Sequence, residues 1–258
     1  MKMKHVIGAL AICMVAATAA QAGTDVWVKY SEVKPKQVVT IPTPSGGTQS
    51  VYAGDYQLYI SETVQTVGTT GPGGTLTDSF CVDVFDASIK TWQQYQVVDL
   101  SLAPDPVGNN MGGTKARDIK QLLLLAYPDA LDEWDTKTAT GVSAAQYAAA
   151  VQAAVWEIVN ENETGASYSL GGGSWTTTGN STTLTFANTL LGSINSDTSD
   201  LLNEYANVWA VTNDKYQDFA VVRIGVEPVP EPLTMASAFF AICGLGGYIR
   251  RRTGRAAA

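Results

Sequence analysis

Between its two ends this chain carries one cysteine, Cys81, and no histidine. His5 and Cys13 lie in the first 22 residues, and Cys243 lies in an apolar C-terminal stretch. Neither an internal disulfide nor a histidine-bearing zinc site can therefore staple the body. A Ser-His-Asp triad and a Cys-His dyad are excluded for the same reason. One thiol, carboxylates, amides, hydroxyls and a few amines remain for any chemistry. The thiol sits in Phe80-Cys81-Val82-Asp83, and a glutamine sits in Val151-Gln152-Ala153-Ala154-Val155-Trp156.

Both ends read as processing or anchoring segments. Lys2 and Lys4 precede an apolar run over residues 6–17, and Ala20-Gln21-Ala22 supplies small residues around one spacer. Charged start, short apolar stretch and A-x-A site describe a signal peptide over residues 1–22. The alternative, an uncleaved anchor, has a run that is short for a full span. At the other end, Pro230-Glu231-Pro232 is followed by apolar residues 233–249 and then Arg250, Arg251 and Arg252. Such a run can just span a bilayer as one helix, and the positive-inside tendency puts the arginines in the cytoplasm.

The order Pro-Glu-Pro, apolar helix, arginine cluster resembles the PEP-CTERM sorting signal over about the last 30 residues. That resemblance implies an exosortase-type processing protease as a partner. It also implies transient residence in the inner membrane and delivery to the cell surface or extracellular matrix. The alternative is a plain single-span anchor.

Residues 23–226 form the body, enough for one large domain or two small ones. All 24 acidic residues lie between residue 22 and the apolar stretch 233–249, while six of the 16 basic ones lie outside those limits, so residues 23–232 carry a net charge of −14. Nucleic acid and anionic membrane surfaces are disfavoured as partners, and a cationic target is permitted. An unpaired cysteine in an oxidising place calls for burial or covalent capping.

The pattern along the body mixes strands and helices. Short β-prone pieces occur in residues 24–50, and residues 51–60 read as a strand kinked at Gly54. Residues 79–85 alternate, which puts Phe80, Val82 and Val84 on one face and Cys81, Asp83 and Phe85 on the other. A further strand covers residues 92–100. Thr114 caps a helix running to Ala126, with Ile119, Leu122 and Leu123 on one face. Ser143 and Gln146 make a capping box before an alanine-rich helix reaching Asn160. On that helix Gln152 lies in an apolar stripe with Ala148, Val155, Trp156 and Val159. A carboxamide buried there must find partners or be used. Residues 164–199 read as loops with one or two strands, and two final strands meet around Asn213-Asp214.

A thiol can attack a glutamine carboxamide, expel ammonia and leave an internal thioester, provided the two are held together away from water. Phe-Cys-Val-Asp on a strand, a helix ending in Tyr127-Pro128, and Gln-Ala-Ala-Val-Trp on a later helix resemble bacterial surface thioester domains. The resemblance spans about residues 50–165. It implies an α+β fold, with an antiparallel sheet or sandwich lobe and a packed helical lobe. It further implies a cross-link between Cys81 and Gln152; the positions along the chain place Asp83, on the Cys81 face, to move protons and Trp156, one helical turn beyond Gln152, to shield the bond. Ala126 and Val151 depart from the family's usual glycine and polar residue. No cofactor, metal or turnover enzyme is expected. The expected role is covalent attachment to an amine-bearing target. The alternative is a non-covalent structural or carbohydrate-contacting module, with Cys81 merely buried and Trp92, Trp175 and Trp209 available for sugar contacts.

Overall fold

The computed structural model describes residues 24–71, 73–106, 108–127, 136–161, 168–194 and 208–222. Residues 1–22, Pro230-Glu231-Pro232, residues 233–249 and Arg250, Arg251 and Arg252 lie outside the described residues. Among the described residues no helix is long and apolar enough to cross a membrane.

Six strands form the sheet: β1 (Thr24–Pro42), β2 (Thr48–Ser61), β3 (Thr75–Cys81), β4 (Gln93–Asp99), β5 (Val208–Asn213) and β6 (Tyr216–Val222). They are antiparallel and close into a barrel in the order β1-β2-β3-β6-β5-β4. Among the described residues three α-helices, α1 (Gly113–Ala126), α2 (Ala144–Asn160) and α3 (Ser181–Gly192), complete an α+β fold.

The expected antiparallel sheet is present, closed into a barrel and not split into a sandwich, and β1 is the reason. Its first residues pair with β4, while residues from Trp27 onward pair with β2. Register shifts between Tyr30 and Glu32 and between Val33 and Lys36 bend it. Bulges of this kind add twist and let one long strand turn a barrel corner. They also interrupt the two-residue alternation, so the sequence shows only short β-prone pieces there.

The sheet separates two apolar clusters. Val26, Val28, Leu58, Ile60, Val97, Phe219 and Val221 fill the barrel together with Cys81. Phe80 and Val82 face the opposite way, against Ile119, Leu122, Leu123, Val151 and Val155 of the helices. Each such side chain contributes ~1.5–3 kcal/mol when fully buried.

The α2 helix belongs to both clusters. Residues 147–159 of it are buried on every side. Its alanines permit that close approach, and its Trp156 and Ala149 join the barrel cluster. The capping box forms as the sequence suggests: Gln146 N–H donates to the Ser143 hydroxyl, and Ser143 N–H donates to Gln146 Oε1. Two carboxylates at the end of α2 hold the following segment. Glu157 accepts from Ser169 N–H, and Glu161 accepts from Ser174 N–H and its hydroxyl.

Two helix readings need correction. The α1 helix starts from Gly112, at φ 84°, with no side-chain cap, so Thr114 is inside the helix and caps nothing. Residues 181–192, read as loop or strand, form α3. Its threonines lower helix propensity and hide the period. Asn180 caps it by accepting from Thr182 N–H and Thr183 N–H, and Thr183, Ala187, Leu190 and Leu191 are buried.

Gly74 supports the start of β3 with φ +76°. A Cβ there would lie 2.6 Å from the Ile60 carbonyl oxygen and 2.8 Å from the Trp92 ring. Gly74→Ala should therefore destabilise the protein by ~2 kcal/mol or more, read as a lower denaturant midpoint at unchanged slope.

Candidate functional site

The site forms where β2 and β3 part. Their pairing runs from Ile60 and Thr75 to Tyr56 and Ser79 and goes no further. On its other side β3 stays paired with β6, and Val82 N–H donates to the Asp218 carbonyl. In an antiparallel ladder successive residues turn their peptide groups to opposite sides. The peptide groups of Cys81 thus point toward the gap that β2 has left.

The Gln152 carboxamide fills that gap. Cys81 N–H donates to Gln152 Oε1 at 2.9 Å, and Gln152 Nε2 donates to the Cys81 carbonyl at 2.8 Å. Both residues are fully buried. An unpaired buried peptide group costs ~1–3 kcal/mol, so this carboxamide completes the strand in place of a neighbour. The same contact has chemical meaning. An oxyanion formed on the Gln152 carbonyl would already sit on a buried N–H donor, supplied by the residue that carries the thiol.

The sulfur points into the barrel and has its own neighbours. Gln217 Nε2 donates to Cys81 Sγ at 2.9 Å. The Trp156 indole N–H lies near the thiol and favours its ionised form, without completing a hydrogen bond of full geometry. Burial is the largest influence and pushes the thiol well above its ordinary value, with the charges of Asp83 and Asp218 acting in the same direction. Cys81 is the free cysteine among the described residues.

Asp83 departs from its expected place. The β3 strand ends at Cys81, so the alternation does not continue to Phe85. The Asp83 carboxylate accepts from Phe85 N–H in the following turn and lines a cleft of about 350 Å³. That cleft also takes in Val82, Asp86, Asp105, Asp214 and Asp218. The structure thus gathers Cys81, Gln152 and Trp156, and turns Asp83 toward an acidic cleft alongside. Gln217 was not singled out from the sequence. Its signal was a polar residue at the position of β6 that alternation places inside, beside Phe219 and Val221. The tryptophans considered for sugar contacts are taken up in packing: Trp92 and Trp175 are buried and Trp209 is partly buried. No cluster that could hold a metal occurs among the described residues.

Two carboxyl groups near α2 and the cleft are protonated more readily than usual. Burial lifts Glu157 from 4.5 to about 7, helped by Glu161 and opposed by the Ser169 N–H. Burial lifts Asp218 from 3.8 to about 7, helped by Asp83, Asp86 and Asp214 and opposed by the Asn213 N–H. Between about pH 4 and 7 the folded protein holds protons that the unfolded chain has lost, so stability falls as pH rises through that window. The thermal midpoint should be several degrees higher at about pH 5 than at about pH 8, and Asp218→Asn should shrink the difference.

Comparison with known proteins gives one match. Residues 78–196 match the family model described as TED: Thioester domain, a stretch that contains both Cys81 and Gln152 and all three helices. No curated protein and no solved structure matches the chain.

Proposed function

We propose that this protein forms an internal thioester between Cys81 and Gln152 and uses it for covalent attachment to an amine-bearing target. The Cys81 sulfur bonds to Gln152 Cδ, the Cδ–Nε2 bond breaks, and the thiol proton leaves with the nitrogen as ammonia. A primary amine later attacks the same carbon. An amide then forms and the thiol is released. The protein is a single-use acylating agent and not a turnover enzyme. One observation carries the reading: the Gln152 carboxamide lies across the Cys81 peptide, with its oxygen 2.9 Å from the Cys81 nitrogen. The thioester-domain match over the same residues supports it. So does the complete burial of Cys81, Gln152 and Trp156, which keeps water from the stored acyl group.

The acidic cleft suits the second step. It reaches Val82, the residue after the thiol, and five aspartates line it. A protonated amine is drawn to such a cleft. Asp218, poised at about 7, is matched to take the amine's proton near neutral pH. The proposed setting is the cell surface or extracellular matrix. Export would use residues 1–22, and an exosortase-type protease would act at the Pro230-Glu231-Pro232 tail after transient membrane residence through residues 233–249.

A second reading has its own support. The two Gln152 hydrogen bonds go to the Cys81 peptide and not to the sulfur, which suits a glutamine that only completes the strand. Intact mass separates the two. Wild-type protein should be one ammonia lighter than its sequence requires, and should gain methylamine when treated with it. Cys81→Ala protein, processed identically, should have its full mass and no adduct. A full-mass, methylamine-inert wild type leaves the strand-completing role alone standing. For the tail, secreted material should lack peptides from beyond residue 232, and their recovery there would support a plain anchor.

A further inference from the structure

The β6 register sets Phe219 opposite Cys81, and Gln217, two residues earlier, turns to the same side of the sheet. Gln217 is 4% exposed, and its Oε1 has no hydrogen-bond partner among the described residues. Its Nε2 points at the Cys81 sulfur from 2.9 Å. The Trp156 indole N–H, fully buried, approaches the same sulfur from α2. A neutral thiol is a poor acceptor, and an N–H group held 2.9 Å from the sulfur, with the Trp156 N–H nearby but not hydrogen-bonded to it, matches a thiolate better. The surroundings otherwise oppose that anion. Asp83 lies two residues after Cys81 in the chain and Asp218 comes from β6, and the charges of both act against it, while burial keeps the Tyr56 phenol of β2 neutral. From α2 the sulfur meets the Trp156 N–H, and Gln152 holds the peptide beside it.

We propose that Gln217 is a positioning residue for thioester formation: its Nε2–H group holds the Cys81 sulfur as the nucleophile beside the Gln152 carboxamide. The proposal rests on the thioester reading but names a residue outside the matched stretch of residues 78–196. Gln217 is not consumed. The S–Cδ bond forms to Gln152, and ammonia leaves from Gln152 alone. Gln217 compensates the sulfur for lost water while negative charge builds on it.

The test uses the full chain in a Gln152→Ala background, where the thiol stays free. Alkylation by iodoacetamide is followed against pH on the peptide that contains Cys81. Because Cys81 is fully buried, the urea-unfolded chain is alkylated in parallel, and a midpoint that differs from the unfolded one reports thiol ionisation in the folded protein. Gln217→Met keeps the volume and removes the N–H, so the midpoint should rise by about one to two pH units. Gln217→Glu, which keeps the shape, should also raise it and serves if the methionine variant loses the parental circular dichroism spectrum. In the Gln152-containing chain, Gln217→Met should slow ammonia loss about ten-fold or more. An unchanged or lowered midpoint in a folded variant overturns the proposal. So does ammonia loss that persists in Gln152→Ala and vanishes in Gln217→Met, which would make Gln217 the acyl donor. A wild type at full mass defeats the thioester reading instead, while the alkylation midpoint still decides whether Gln217 supports the thiolate.

Discussion

The structure turns on a gap between two strands. Where β2 leaves β3, a buried peptide group would be stranded, and a carboxamide from α2 takes the missing place. That single exchange locks the helix to the barrel. It also explains why a polar residue tolerates the centre of an apolar helix. Gln152 makes two hydrogen bonds there and so escapes the desolvation cost that an unpaired amide would bear.

The same arrangement sets up chemistry without a metal-ligand cluster or a histidine among the described residues. Burial makes the thiol reluctant to ionise, which protects it. Burial also excludes water from any acyl group it would hold. In the proposed reaction the N–H donors are the Cys81 peptide toward the carbonyl oxygen and Gln217 toward the sulfur, with the Trp156 N–H nearby. The acidic cleft lies beside this centre and reaches Val82, the residue after the thiol.

Much of the local structure was readable in advance because its signals are local. The capping box at Ser143, the apolar face of α1 and the hairpin around Asn213-Asp214 each come from residues within a turn or two of one another. Elements whose identity depends on distant partners were harder. The α3 helix hides behind threonines and gains its stability from burying Ala187, Leu190 and Leu191. The long β1 hides because its bulges break the alternation. Asp83 was placed with Cys81 by extending a strand that ends two residues earlier.

The residue inventory alone determined what chemistry is possible. One thiol and no histidine in residues 23–226 leave acyl storage open and leave no Ser-His-Asp triad or Cys-His dyad to be built there. The pairing of Phe80-Cys81-Val82-Asp83 with Val151-Gln152 and Trp156 was expected from the order of these motifs, which resembles that of thioester domains. Only the tertiary structure decided which atoms meet. It put the Gln152 amide on the Cys81 peptide, brought Gln217 from the last strand to the sulfur, and turned Asp83 into the cleft. Those outcomes depend on barrel closure and on where two strands separate, and both are properties of long-range pairing that no stretch of the chain carries by itself.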